Sequence, residues 1–165
     1  MGYDIRIGNA VPVHSKEDGQ LYATWSVEPE AHEDAPTFPN DEMTRNTNSR
    51  HPSYSGWDNF CRDADIHSLF YNKEYHDGLF DQHPGCVLLT QDHYTTVAVA
   101  LENRRRVATL PAGFAGYPEF NTATQKWDPH SDEGKYDATL ARLIWLEYWI
   151  KWALENCETP AIENS

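Results

Sequence analysis

Three residues near the middle of the chain have the types and spacing that could hold a metal. His83, Cys86 and His93 read H-x2-C-x6-H, with Asp81 and Asp92 beside them. Zinc takes imidazole and thiolate ligands, but structural sites close with four ligands in tighter pairs and catalytic sites need a fixed geometry. No second pair follows at such a spacing, so turn and cap roles explain each residue more simply, and no cofactor is expected. Nucleophile chemistry would need a thiol whose pKa is lowered. Cys86 follows Gly85 close to a helix start, where a helix N-terminus favours thiolate, whereas Cys61 falls on the apolar face of a helix and should be inert. There is no G-x-S-x-G, P-loop, H-E-x-x-H or dinucleotide fingerprint, so no enzyme class is indicated.

Recognition is the other chemistry on offer. The stretch "RHPSYSGWDNFCRD" at 50–63 places Arg50, His51 and Tyr54 ahead of an amphipathic helix. A Gly/Pro-rich stretch, "LPAGFAGYPEF" at 110–120, carries Phe114 and Tyr117. Arginines and aromatics outside helical periodicity are the types that anchor interfaces, so these five are the candidate binding residues. Gly113 and Gly116 have no basic neighbours, which argues against a phosphate clamp. The run Arg104–Arg105–Arg106 ends a helical segment, where it complements the helix dipole or holds a carboxylate or phosphate.

The elements that must position these residues follow from pattern. "YDIRI" at 3–7 and "LYATWSV" at 21–27 alternate like strands, and Gly19 between them predicts a hairpin. Residues 28–52 turn acidic and then rich in Pro, Asn, Thr and Ser, so they are expected to form a long irregular loop. Within it, "EPEAHED" at 28–34 reads as a solvated stretch. Ser55 with Asp58 fits a capping box, and Trp57, Phe60, Cys61 and Ala64 then recur at helical spacing. Ile66, Leu69 and Phe70 follow before "KEYHDG" breaks the pattern. Thr90 fits an N-cap, with Tyr94, Val97, Ala98 and Leu101 on one face, although the run "TTVAVA" also suits a strand.

The clearest element is "DATLARLIWLEYWIKWALENC" at 137–157. Leu143, Leu146, Ile150 and Leu154 make an aliphatic side, and Trp145, Tyr148, Trp149 and Trp152 an aromatic one. A helix apolar over most of its circumference is buried over most of it. It is therefore expected to be the central helix; otherwise its aromatic side is an interface with a partner chain.

Charge and composition bound the rest. The 165 residues carry 26 acids against 13 Lys and Arg, a formal charge of −13, with six Trp, nine Tyr and six Phe. A single domain with an aromatic core is expected. Lys and Arg are needed to neutralise phosphates, so direct nucleic-acid binding is not expected. Three widely spaced cysteines imply no disulfide framework and fit a reducing compartment. "MGYDIRIG" is no signal peptide, and no stretch reaches membrane-span length, so a cytoplasmic location is expected.

The opening "MGYDIRIG", the ending "ALENCETPAIENS" and the "HPSYSGW" region resemble small uncharacterised proteins encoded by actinobacterial phages. That resemblance implies an accessory protein made during infection that binds a host protein. The expected fold is α+β: an N-terminal β-hairpin packed on about four helices, with a buried C-terminal helix. The expected function is non-enzymatic binding of a protein partner, or of a second copy as a homodimer. A small hydrolase or ligand-binding protein with a His-rich, metal-dependent site at His83, His93 and Arg50 is the alternative. An acidic DNA mimic is the third.

Overall fold

A computed structural model describes residues 1–17, 20–37, 46–72, 78–81, 85–113, 120–127 and 136–165. The N-terminal hairpin is present, but its first arm is residues 10–17; the expected arm at 3–7 begins the same strand and pairs elsewhere in the sheet. Strand β1 (Ile5–Glu17) pairs antiparallel with β2 (Gln20–Val27), Ala10 opposite Val27 and Pro12 opposite Trp25. Before that point the same strand pairs with β3 (Ser49–Arg50) on one edge. The far end of the 28–52 stretch is thus built into the sheet, and an Ala31–Thr47 bridge ties its two ends together.

Pro52 fixes the chain just before Ser53, whose extended backbone makes it the N-cap of α1 (Tyr54–Asp63). Its hydroxyl accepts the Gly56 N–H at 3.1 Å. The cap is therefore Ser53 and not Ser55, which lies inside the first turn. The helix closes with Asp65 in the left-handed region, its N–H donating to Arg62 O while Ile66 N–H donates to Cys61 O. A short α2 (His67–Tyr71) and a 3-10 turn (Leu79–Asp81) follow. Strand β4 (Gly85–Leu88) then leads into α3 (Gln91–Val107). A small hairpin, β5 (Phe120–Asn121) with β6 (Lys126–Trp127), precedes α4 (Ala138–Asn156), and β7 (Pro160–Asn164) ends the main sheet.

That sheet runs β2-β1-β7-β4, all antiparallel, with β3 beside the start of β1. The architecture is α+β, as expected. Strand alternation divides the sheet into two faces. Ile5, Ile7 and Ile162 point into the core and are fully or almost fully buried. Against them α4 packs Leu143, Trp145, Leu146, Trp149, Ile150 and Ala153, all buried. Helix α3 lies along α4, with Val97 and Leu101 in the same core and the Tyr94 hydroxyl donating to Glu147 at 3.1 Å. The C-terminal helix is thus central. Each buried Trp ring withdraws roughly 150–250 Å² from water, about 4–6 kcal/mol of gross burial before entropy is charged against it.

The basic run at 104–106 has a specific task for its first member. Arg104 makes a two-pronged contact with Asp137, at 2.9 and 3.1 Å, and reaches Asp63 at 3.3 Å. Asp137 is also the N-cap of α4, accepting the Leu140 N–H at 2.9 Å. One guanidinium thus joins the end of α3 to the start of α4 and the end of α1. No described helix is long and apolar enough to cross a membrane.

Candidate functional site

Of the five residues expected to form a recognition surface, the three described ones, Arg50, His51 and Tyr54, take different environments. Arg50 is completely buried, its guanidinium carbon 5.0 Å from the centroid of the Trp145 ring. It sits on β3 opposite Ile5, and so takes the core-facing register. His51 is exposed, with Nδ1 2.6 Å from Asp4 Oδ1. Tyr54 is also exposed and meets Tyr3 edge-on at 4.6 Å. Phe114 and Tyr117 lie outside the described residues, as does His83. On α4, Trp145 and Trp149 are fully buried, whereas Tyr148 and Trp152 are half-buried.

Those two half-buried rings are occupied by a residue that pattern reading passed over. His32, within "EPEAHED", lies 4.7 Å from the Trp149 ring and 4.8 Å from Trp152. The Tyr148 hydroxyl has one proton, which it donates to Asp34 at 3.1 Å. The 3.1 Å contact between that hydroxyl and His32 Nδ1 is therefore an Nδ1–H donation. The stretch is mostly exposed, as expected, but His32 and Asp34 fasten it to α4.

The described candidate metal and nucleophile residues, His93, Cys86 and Cys61, hold structural posts. Thr90 caps α3, and His93 Nδ1 accepts the Thr90 backbone N–H at 3.1 Å, closing a capping box with an imidazole in place of the usual Glu or Gln. That lone pair is spent. Among the described residues no three His, Cys, Asp or Glu side chains gather as a metal site. Cys86 lies inside β4 and not at a helix start, because the sheet claims residues 85–88 before Thr90 begins the helix. Burial, reinforced by the Glu163 carboxylate, pushes its thiol up to about 11. Burial with Glu30 and Glu28 nearby pushes Cys157 up to about 11, and burial raises Cys61 further still.

All three thiols are thus protonated at neutral pH. At pH 8, Cys86 and Cys157 should alkylate on the order of 100-fold more slowly than a cysteine in an unstructured peptide, because thiolate falls tenfold per pH unit. Cys61 should label only on unfolding. Mass spectrometry of a timed iodoacetamide reaction reads this, and native rates near the peptide's would contradict it. Raised folded-state values also set the sign of the stability change: their contribution is complete below the ordinary thiol pKa and is lost as pH climbs through 9 to 11.

A different constellation forms on the sheet face turned away from the core. Arg6 and Glu163 are cross-strand partners in β1 and β7, and both project to that face, with Arg6 Nη1 3.3 Å from Glu163 Oε1. The Val27 peptide lies across them. Its N–H donates to Glu163 Oε2 at 2.7 Å, and its carbonyl accepts from Arg6 Nη1 at 3.1 Å. Ser49 Oγ accepts from Arg6 Nε at 3.0 Å. The hairpin therefore bends back over the sheet, with Ala10, Val27 and Ala161 packed together beneath it and Cys86 beside them. Gly8 permits the approach: a Cβ there would sit 3.3 Å from Val27 Cγ1 and 3.1 Å from Asn48 Nδ2.

Between the folded-over arm and the sheet runs a cleft of about 510 Å³, lined by Thr24 and Trp25 on the arm and by Gly85, Cys86 and Ser165 opposite, with Arg6 and Glu163 as floor. A second hollow of about 430 Å³ opens on the other side of Arg6, beside Glu30, Asn48 and His51. Trp25 keeps 55% of its surface exposed, and Leu88, two residues beyond Cys86 on the same face of β4, keeps 60%. The signal in the sequence was slight: a charge, Arg6, between two isoleucines, and another, Glu163, next to Ile162. Comparison with known protein families, with curated proteins and with solved structures finds no match.

Proposed function

We propose that this chain is a non-enzymatic binding protein that engages a protein partner across the cleft between its hairpin arm and its sheet. The observation that carries the reading is Trp25, a large apolar side chain standing exposed in the cleft beside a floor whose charges are already matched, with Leu88 exposed farther along the strand that forms the opposite wall. An exposed Trp at the edge of a cleft is the residue type that anchors interfaces. A neutralised, hydrogen-bonded floor favours contact over chemistry. Among the described groups that could have supported hydrolysis, His93 closes a cap, Arg50 lies against Trp145, and the thiols are protonated. The resemblance of the chain ends to phage-encoded proteins fits a host protein as that partner.

Trp25 should behave as a hot spot. A Trp25→Ala variant is expected to keep the fold, since the ring is mostly outside the core, and to lose about 30-fold in partner affinity. Immobilised wild-type and variant protein are exposed to the same mixture of host proteins, and retention is quantified by mass spectrometry. At least one protein held by wild type should fall to near background on the variant. Identical retention profiles would remove the cleft from consideration.

A further inference from the structure

The hydrogen-bond parity of the sheet says which way the backbone of β4 faces. Asp4 and Ser165 exchange bonds at 2.9 and 3.0 Å, and Ala10 N–H donates to Thr159 O at 2.8 Å, so odd-numbered residues of β7 face β1. Its even-numbered residues therefore face β4, as the Leu89 N–H to Pro160 O bond at 2.9 Å shows. Val87 opposite Ile162 and Gly85 opposite Asn164 are then the bonded pairs. Cys86 and Leu88 fall between them, with their N–H and C=O groups directed away from β7. Among the described residues no strand lies on that side.

Exposed strand edges are commonly blunted by Lys, Pro or a bulge, and "GCVL" contains none of these; only its shortness limits it. The same strand forms the cleft wall opposite Trp25. We infer that β4 is the docking edge for an extended, cationic segment of the partner, which adds as a strand beside Cys86 and Leu88 and lays an apolar side chain against Trp25. This rests on the protein-binding reading above and names its mode. Main-chain bonds to the edge would supply affinity, and the cleft would select alternate side chains.

Charge decides the occupant. The chain carries −13, and exposed Glu28 directly follows the arm's last residue. A second copy would bring −13 toward −13, whereas Lys or Arg side chains on an added strand meet a complementary field. Arg6 does not oppose this, because Glu163 already pairs with it.

The test uses the isotope-labelled full chain and three synthetic heptapeptides: alternating Lys and Val, alternating Glu and Val, and the Lys peptide with a central Pro. The Lys peptide should saturably shift the Cys86 and Leu88 amides and the Trp25 indole, and slow exchange of both amides. The Glu and Pro peptides should bind at least tenfold more weakly. A Leu88→Pro variant removes one outward N–H without touching a bond to β7, and should lose the response to the Lys peptide. Equal binding of the Pro peptide, or of the Glu peptide, overturns the cationic-strand mode while leaving the cleft as a binding site, since Trp25 still responds. No shift at 85–88 with any peptide also overturns it, and if the Trp25→Ala variant retains every partner the broader reading falls separately. Concentration-dependent dimerisation that protects the 85–88 amides would make a second copy the occupant and likewise overturn it.

Discussion

The Glu163→Ala variant is expected to lose about 2–3 kcal/mol of stability and to release the hairpin arm from the sheet. Glu163 is almost wholly buried and accepts the Val27 N–H at 2.7 Å. Alanine leaves that donor unsatisfied, a penalty of about 1–3 kcal/mol. Arg6 also loses its carboxylate, but its side chain is 31% exposed, so water screens part of that loss. Glu163→Gln keeps an acceptor for Val27 and should cost roughly half as much by the same principle. Urea unfolding measures the stability, and hydrogen exchange at Val27 reports the arm. A Val27 amide as protected in the alanine variant as in wild type would show that the arm is held by something else.

Trp149→Ala should be costlier, at about 3–5 kcal/mol, because a fully buried indole at the centre of the core leaves a cavity that its neighbours cannot fill. For a domain whose total stability is typically about 5–15 kcal/mol, that brings the chain near unfolding at room temperature. Trp149→Phe should be disproportionately mild. The indole N–H is buried without an acceptor among the described residues, so a phenyl ring surrenders volume but also removes an unmet donor. Because His32 rests on this ring, the alanine variant should also expose the backbone around residues 30–35 to exchange. Comparable losses for Phe and Ala would mean that the indole nitrogen has a partner.

Periodicity located what periodicity controls. The hairpin, the three longer helices and the burial of α4 were legible because apolar residues recur there at two or 3.6 residues over long enough spans. Strands β4 and β7 were not. "GCVL" and "PAIEN" are short, and half of the outward positions in β7 hold a charge, Glu163, whose burial depends on an arm arriving from the other end of the chain. Arg50 looked like a surface anchor because arginine usually is one; only its register opposite Ile5 turns it inward onto Trp145. The candidate cleft was illegible for the same reason, since Trp25, Cys86 and Glu163 lie on three strands far apart in the chain and meet only in the fold. His93 could have been read as a cap, standing three residues after Thr90, had imidazole been counted among the side chains that close a box.

The position of β7 has a consequence for how the chain is made. Ile5 finds its mate in Asn164, and β7 is the strand that joins β1 to β4. On the ribosome, the first strand emerges long before the residues that complete the sheet around it, so its isoleucines must wait in water or in the care of a chaperone. Such distant pairing slows folding, because a large loop is closed before any contact rewards it. Removing the last six residues should therefore leave a nascent-like chain with helices but no closed sheet.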